Sequence, residues 1–276
     1  MIQVKQLFSH PVKGLTPQAL DQVDLRVGYG VLGDRAFALM YDASDPETAD
    51  PIVPWTQKKN LAMQCDRPEL AALACEYDAA TGVLTVRQNN GEVLAADTNA
   101  PGGRAQISHF FSDYLSAVPS GQSAKYAKLR RLRLVGSGNG TTRYPDREPI
   151  HLSLLSAATL EHLSQVAGQP IDARRFRPNI VVEGVPAWEE FNWIGQEFDI
   201  GTARILITER LSRCPNIDVH PDKGELDIPL FSLIQNTFKH KDTGVVAKVI
   251  TDGTVVVGDG LIARAGQGAE RQNFGF

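Results

Sequence analysis

The stretches Arg174-Arg175-Phe176-Arg177-Pro178-Asn179 and Ser212-Arg213-Cys214-Pro215 carry more information than any other part of this 276-residue sequence. Three arginines around an aromatic residue and a proline-fixed turn repel one another unless an anion lies among them. Arginine binds phosphate through two parallel hydrogen bonds, and Asn179 adds an amide that both donates and accepts. The first stretch therefore predicts a ligand with a phosphate and a heterocycle.

Cys214 is the candidate reactive residue of the second stretch. It follows the strand-like run 203–208, so its thiol is expected at the end of a rigid strand. The cationic neighbours Arg213 and Arg210 favour a thiolate, which is the form that attacks electrophiles and binds soft metals. The alternative is a buried cysteine that packs as a small hydrophobic residue.

The composition favours a globular protein that binds a small molecule. Hydrophobic residues make up 42% of the chain, which is enough for one large domain or two ordinary ones. A net charge of -4 with a pI near 5.9 gives no overall attraction to nucleic acid or to an anionic membrane. We therefore expect neither nucleic acid nor a membrane as a partner.

The cysteines and the N-terminus predict a location. Cys65, Cys75 and Cys214 fit neither a disulfide framework nor a zinc site, which indicates a reducing compartment. The N-terminus lacks the apolar core of a signal peptide, and no run approaches the ~18 apolar residues that cross a bilayer. We expect the protein in the cytoplasm.

Short apolar or alternating runs separated by turn residues predict a mainly β protein with some helix, of barrel or sandwich type. Residues 83–87 are predicted to pair with 92–94 across Asn89-Asn90-Gly91, because asparagine and glycine tolerate a positive φ. A second hairpin is predicted between residues 245–250 and 254–257.

One helix is predicted over residues 156–166, with Ser156 as its N-cap and Gly168 as its stop. The apolar run 150–155 predicts a strand that leads directly into the positive end of this helix, where backbone N–H groups face an anion. An ordinary capped helix is the alternative.

A compositional break near residue 120 predicts a domain boundary. The basic run beyond it could bind an acidic partner or cofactor phosphates, although a solvated face is the more common origin of such a run; it comprises Lys125, Lys128, Arg130, Arg131 and Arg133. The polar, glycine-rich residues 265–276 predict a flexible tail.

Two further segments, His10-Pro11-Val12-Lys13-Gly14 and Gly33-Asp34-Arg35, each present a cation at the end of a probable strand. Taken alone, Lys13 or Arg35 is a surface charge or a salt-bridge partner. Taken with the two arginine-rich stretches, with the run from Leu154 to Leu160 and with Trp193, they resemble the MOSC domain family in the same order along the chain. That family is named for the C-terminal domain of molybdenum cofactor sulfurase.

The resemblance extends over most of the chain and is closest to the mitochondrial amidoxime-reducing components and their bacterial counterparts. It implies a mainly β fold with some helix: a smaller N-terminal β-rich domain over residues 1–120, a MOSC β-barrel over 121–264 and a tail over 265–276. The first ~35 residues are expected to contribute to the cofactor site of the barrel.

The resemblance also implies a site for the molybdenum cofactor, a metal held by a pterin dithiolene. By motif position the metal ligand and catalytic residue is Cys214. The residues implied to contact the pterin and its phosphate are Lys13, Arg35, Ser156, Arg175, Arg177, Asn179, Ser212 and Arg213. This agrees with the residue chemistry, because a soft thiolate suits the metal and dispersed cations suit an anionic cofactor.

The implied activity is the two-electron reduction of N-hydroxylated compounds such as hydroxylamines, N-hydroxylated purines and amidoximes. A fused ferredoxin-like domain, present in some relatives, needs four cysteines, so we expect electrons from a separate flavin, ferredoxin-like or haem protein. A carrier of molybdenum cofactor or of sulfur, with a persulfide on Cys214, is the alternative, and a metal-free cysteine hydrolase or transferase is a third reading.

The sequence departs from the family pattern at three positions near these motifs. Gly14 stands where many relatives have serine, His220 where aspartate is common and Pro215 where an aliphatic residue is usual. We expect these changes to affect the substrate range more than the binding of the cofactor.

Overall fold

The computed structural model describes residues 1–117, 131–146 and 152–264. Within them the strands are β1 (Gln3–Ser9), β2 (Val12–Lys13), β3 (Gln18–Leu20), β4 (Gln22–Arg26), β5 (Gly30–Val31), β6 (Phe37–Tyr41), β7 (Ala74–Asp78), β8 (Val83–Gln88), β9 (Gly91–Asp97), β10 (Leu132–Gly136), β11 (Leu152–Ser156), β12 (Ile180–Glu183), β13 (Glu197–Ile200), β14 (Ala203–Ser212), β15 (Asp242–Thr251), β16 (Gly253–Val256) and β17 (Leu261–Ala263). The helices are α1 (Pro101–Ala117), α2 (Ala157–Ala167) and α3 (Leu230–Phe238).

The larger unit is a curled sheet in the order β17-β13-β14-β15-β11-β12-β1-β3. The amides of Val4 and Leu261 donate across its ends to the carbonyls of Asp259 and Ile2, so β1 meets residues 258–261 and the sheet curls back on itself. This confirms the predicted β-rich barrel with few helices.

The alternation along β14 shows why this sheet encloses a core. Ala203, Ile205 and Ile207 are buried in the barrel interior, whereas the residues between them are more exposed. Burial of each isoleucine side chain stabilises the fold by about 1.5–3 kcal/mol. Cys214 therefore comes two residues after a strand that is anchored along its length.

The smaller unit combines the sheet β10-β6-β2, the sheet β7-β8-β9 and helix α1 around a second hydrophobic core. Strand β10, at Leu132–Gly136, pairs with β6, so this unit includes residues beyond the predicted boundary at 120. The boundary lies outside the described residues, as do Lys125, Lys128 and Arg130 and the predicted tail at 265–276. Among the described residues no helix is long and apolar enough to cross a membrane.

One predicted hairpin is confirmed and the other is wrong. Strands β8 and β9 pair across Asn89 and Asn90, which both have positive φ. Strand β16, however, pairs with β4 instead of β15. The Asp252 carboxylate accepts the amide of Val27 at 2.7 Å, and Gly253 lies directly against the backbone of strand β14, so the turn directs the chain towards β4.

Helix α2 begins and ends as predicted, but its N-terminus is satisfied differently. Gly168 closes it with φ 69°. Ser156 occupies the N-cap without a side-chain cap bond; instead the buried Glu190 carboxylate accepts the Ser156 amide at 3.3 Å and the Thr159 hydroxyl at 3.0 Å. A carboxylate near the N-terminus of a helix is favourable because it faces the positive end of the helix dipole.

A buried polar contact joins the loop before β2 to the loop before β6. Asp34 accepts the His10 amide at 2.9 Å and lies 3.3 Å from His10 Nδ1, and both side chains are fully buried. Burial, helped by the charges of Arg177 and Arg35, lowers the pKa of His10 to about 3. His10 is therefore neutral near pH 7 and packs without a charge.

We expect His10 to make the protein acid-sensitive. Below about pH 6.5 the unfolded chain binds a proton at this position and the folded chain does not, so stability falls as pH drops towards 3. The slope from this one group is about 1.4 kcal/mol per pH unit. Urea unfolding between pH 6.5 and 4.5 should show a shallower pH dependence for His10→Asn, whose amide can still donate to Asp34.

The exposed His109 provides the control, because His109→Asn changes a side chain that meets water in both states. Equal slopes for the parent and His10→Asn would contradict the prediction.

Gly14 is where the loop after β2 approaches the segment from Leu61 to Cys65. Its φ is 83°, and a Cβ at this position would lie 2.2 Å from the carbonyl oxygen of Ala62. A serine at this position is therefore excluded by a backbone contact. The glycine lets residues 62–65 pack beside Lys13.

Gly14→Ala is expected to lower the free energy of unfolding by about 2–5 kcal/mol, the sum of left-handed strain and steric overlap. Gly28→Ala is the matched control, because Gly28 has φ 76° but no atom within 4 Å of the added Cβ. That variant should lose only the strain, about 1–2 kcal/mol. Urea denaturation of both variants measures the difference, and equal losses would show that the Ala62 contact is unimportant.

Candidate functional site

A cavity lies where the loops of both units meet the ends of β11 and β14. Its lining is rich in cations, which the described residues supply from seven positions: Lys13, Arg35, Lys58, Arg143, Arg175, Arg177 and Arg213. Cys214, Ser212 and Asn179 also line it, so eight of the nine residues predicted to form the site are brought together.

Cys214 lies two residues after β14, immediately before the 3-10 turn Pro215–Asp218. The Arg175 guanidinium holds this turn in place through hydrogen bonds to residues that follow it. It donates to the carbonyl of Val219 at 3.1 Å and to both carboxylate oxygens of Asp227 at 2.7 and 2.5 Å. Arg175 thus lines the cavity, but its charge is already paired, which favours a role in positioning the turn after Cys214.

Arg213 connects the two arginine-rich stretches. Its guanidinium donates to the carbonyl of Phe176 at 2.7 Å and, through Nε at 2.9 Å and also through Nη2, to the carbonyl of Thr243. Burial lowers the pKa of Arg213 to about 9, against the opposing effect of a negative charge on Cys214. Arg213 still carries a positive charge beside the Cys214 sulfur near pH 7.

Arg177 occupies the turn that follows the 3-10 segment Ala173–Phe176. Its backbone is left-handed, with φ 49°, and its Nη1 donates to the carbonyl of Leu15 at 2.5 Å. Burial and the nearby charge of Arg35 lower the pKa of Arg177 to about 10. A buried guanidinium that faces other cations is relieved by an anion in the cavity.

Arg35 and Lys13 enter the cavity from the smaller unit. Arg35 donates to the buried Asp34 carboxylate, and Lys13 Nζ lies 2.7 Å from Asp146. Burial raises the pKa of Asp34, but Arg35 and His10 outweigh it and hold that pKa well below its usual range. Asp34 is therefore an ionised anchor that orients Arg35, which is a role that the sequence did not assign to it.

The side-chain amide of Asn179 forms hydrogen bonds with two strands of the barrel sheet. Its Oδ1 accepts the amide of Ser153 at 3.1 Å, and its Nδ2 donates to the carbonyl of Phe8 at 3.2 Å. It thereby fixes β1 and β11 at the edge of the cavity. Ser212 is exposed at the end of β14, where it pairs in register with Asp242.

Two residues that the sequence associated with the site lie elsewhere. Ser156 is fully buried beside Glu190 and does not line this cavity. Arg210 stacks over Phe191, with its guanidinium carbon 4.3 Å from the ring centroid, so it does not reach the cavity around Cys214.

Sequence reasoning did not predict several other residues of the lining, among them three cations or sulfur-containing residues of the smaller unit and one further arginine. Lys58, Met63 and Cys65 come from the segment before β7, and Arg143 from the segment after β10. Arg143 Nη2 lies 3.6 Å from Asp34, so it belongs to the same charge network as Arg35. No spacing or motif in the sequence marks these residues, because only tertiary packing brings them to the cavity.

The donor set of the cavity is unlike that of a metal site built from protein ligands alone. Among the described residues, no three side chains of histidine, cysteine, aspartate or glutamate lie close enough together to hold a metal ion.

Comparison with known proteins agrees with this two-unit architecture. Residues 1–128 match the MOSC N-terminal beta barrel domain family, and residues 141–261 match the MOSC domain family. The chain is 38% identical over 89 residues to mitochondrial amidoxime reducing component 2 of Rattus norvegicus, covering 32% of this chain and 25% of the relative.

Other relatives match over longer or shorter spans. Mitochondrial amidoxime-reducing component 1 of Mus musculus is 25% identical over 246 residues, which is 81% of this chain and 67% of the relative. Molybdenum cofactor sulfurase of Oryza sativa subsp. japonica is 39% identical over 57 residues, 21% of this chain and 7% of that protein. The aligned segments therefore cover between 7% and 67% of the length of these three relatives. The chain belongs to the MOSC family, with a MOSC N-terminal beta barrel domain before its MOSC domain.

Proposed function

We propose that this protein is a molybdenum cofactor-dependent reductase of N-hydroxylated compounds, with Cys214 as the chain's ligand to the metal. The observation that carries the proposal is the cavity itself, in which the Cys214 thiol lies among cations contributed by both units. The names of the relatives, amidoxime-reducing components and a molybdenum cofactor sulfurase, support a function that involves this cofactor.

The residues present fit an anionic, metal-bearing cofactor. Buried cations that repel one another favour a ligand with a phosphate, and the Cys214 sulfur favours a soft metal. A pterin cofactor brings its own sulfur ligands, which agrees with the lack of a protein-only metal site among the described residues. Arg177, Arg35 and Lys13 are the proposed anion contacts, and Ser212 adds a hydroxyl.

The other residues of the site are proposed to position these groups. Arg213 and Asn179 form most of their hydrogen bonds with backbone groups, so they fix the loops at the cavity. Arg175 holds the turn after Cys214 through Asp227. A bound molybdenum cofactor would supply the two-electron chemistry that removal of oxygen from the substrate nitrogen requires. The protein residues are proposed to bind the cofactor, to orient the substrate and to limit the access of water.

The substrates that we propose are hydroxylamines, N-hydroxylated purines and amidoximes, and the electrons are proposed to come from a separate flavin, ferredoxin-like or haem protein. The cytoplasmic location expected from the sequence stays a prediction, because the amidoxime-reducing relatives are named as mitochondrial proteins.

The first test is Cys214→Ala. The protein is purified from a host that makes molybdenum cofactor, bound molybdenum is measured, and hydroxylamine reduction is assayed with a chemical electron donor. The variant is expected to lose reduction while its circular dichroism stays that of the parent, because the thiol is only partly buried. Undiminished reduction would rule out metal ligation by this sulfur.

Cys75→Ala is the control for this test, since Cys75 is buried in the core of the smaller unit and does not line the cavity. Stoichiometric molybdenum in the parent without any reduction would favour the alternative, a carrier of the cofactor.

The second test is Arg177→Ala, which should weaken retention of the cofactor more than turnover of the molecules that keep it. Loss of one charge-assisted contact costs about 1.5–3 kcal/mol, or roughly 10- to 100-fold in affinity. Molybdenum per protein after extensive gel filtration measures retention, and the reduction rate per bound molybdenum measures turnover.

Arg174→Ala is the matched control for the loss of an arginine. Arg174 lies three residues away, is paired with Asp172 and Asp222 at 2.7 Å, and does not line the cavity. Equal retention of molybdenum by Arg177→Ala and the parent would show that Arg177 is not an anion contact.

A further inference from the structure

Two cysteine thiols line the cavity, and they come from different units. Cys214 follows β14 of the barrel, and Cys65 comes from the segment between β6 and β7 of the smaller unit. Both are partly exposed, whereas Cys75, the remaining cysteine, is 3% exposed within the hydrophobic core. Nothing in the proposed reductase chemistry uses Cys65.

Backbone contacts fix the position of Cys65. The Ala62 amide donates to the carbonyl of Leu39 at 2.8 Å, and the Asp66 and Arg67 amides donate to the carbonyl of Met63 at 3.0 and 2.8 Å. Gly14 permits the close approach of Ala62. The turn at residues 63–67 thus presents Cys65 to the cavity instead of burying it in the smaller unit.

The surroundings of Cys65 favour the neutral thiol. Burial raises the pKa of Cys65 to about 12, and negative charge on Asp66 and on Cys214 acts in the same direction. Cys65 is therefore protonated near pH 7.

We propose that Cys65 and Cys214 are a modification site, at which a hydroperoxide converts the two thiols to an intramolecular disulfide when the cavity holds no cofactor. The Cys214 thiolate attacks the peroxide oxygen, which breaks the O–O bond, forms a sulfenic acid and releases water or an alcohol. The Cys65 sulfur then attacks the Cys214 sulfur, gives up its proton and expels water. Two thiols lose two electrons and two protons, and the peroxide gains them.

This disulfide would protect Cys214 from irreversible oxidation, because a sulfenic acid without a second thiol nearby continues to sulfinic and sulfonic acid. The disulfide would also prevent Cys214 from binding the metal. Only this consequence rests on the proposed function as a molybdenum-dependent reductase. Formation of the disulfide itself is independent of molybdenum.

The test uses the full chain purified without cofactor from a host that cannot make it. The reduced protein is treated with one equivalent of hydrogen peroxide, remaining thiols are alkylated, and the chain is cleaved after glutamate. Cleavage separates the three cysteines into peptides 48–69, 70–76 and 210–225. Mass spectrometry is expected to find peptide 48–69 linked to 210–225, and dithiothreitol should release them.

Variants identify the partner thiol. In Cys65→Ser the linked peptide should vanish and, with five equivalents of peroxide given to variant and parent alike, the sulfinic and sulfonic acids of Cys214 should rise several-fold over the parent. Cys75→Ser should keep the link. Circular dichroism confirms that each variant is folded, and the parent protein alone gives the decisive result. Oxidation of Cys214 to its acids in the parent without a link to Cys65 would overturn the proposal, as would a link from Cys214 to Cys75.

Discussion

Like charges repel most strongly where water is scarce, and the fold of this protein has to hold several guanidinium groups together around one partly buried cavity. Each group is kept in place by a protein acceptor. Arg213 is held by the carbonyls of Phe176 and Thr243, Arg177 by the carbonyl of Leu15, and Arg35 by the Asp34 carboxylate. These acceptors offset part of the free energy that the guanidinium groups lose when they are buried near one another. An anionic ligand in the cavity would offset more of it.

These anchors also explain why the cavity needs both units. The Arg177 contact joins the MOSC barrel to the loop after β2, and Asn179 joins β11 to β1 at the beginning of the chain. Asp34 connects Arg35 and Arg143 to His10 within the same set of loops. A barrel without the first residues would lose the partners of Arg177 and Asn179, so the site is a property of the whole chain.

The sequence revealed the parts of this arrangement that depend on local chemistry. The arginine-rich turn, the cysteine at a strand end and the hairpin at Asn89 and Asn90 each follow from residue types at short spacing, and the structure shows the hairpin as predicted. Family resemblance indicated that these distant segments belong to one site. The wrong pairing of β16 arose because a turn signal at Thr251 to Gly253 fixes where the chain reverses and not which strand receives it.

Lys58, Arg143 and Cys65 could not have been found by the same reasoning, because each reaches the cavity through contacts between segments far apart in sequence. Gly14 shows how such contacts constrain the chain. A serine at this position would require Ala62 to move away, and the turn that carries Cys65 would move with it. Gly14 and the second thiol in the cavity are thus parts of one packing arrangement.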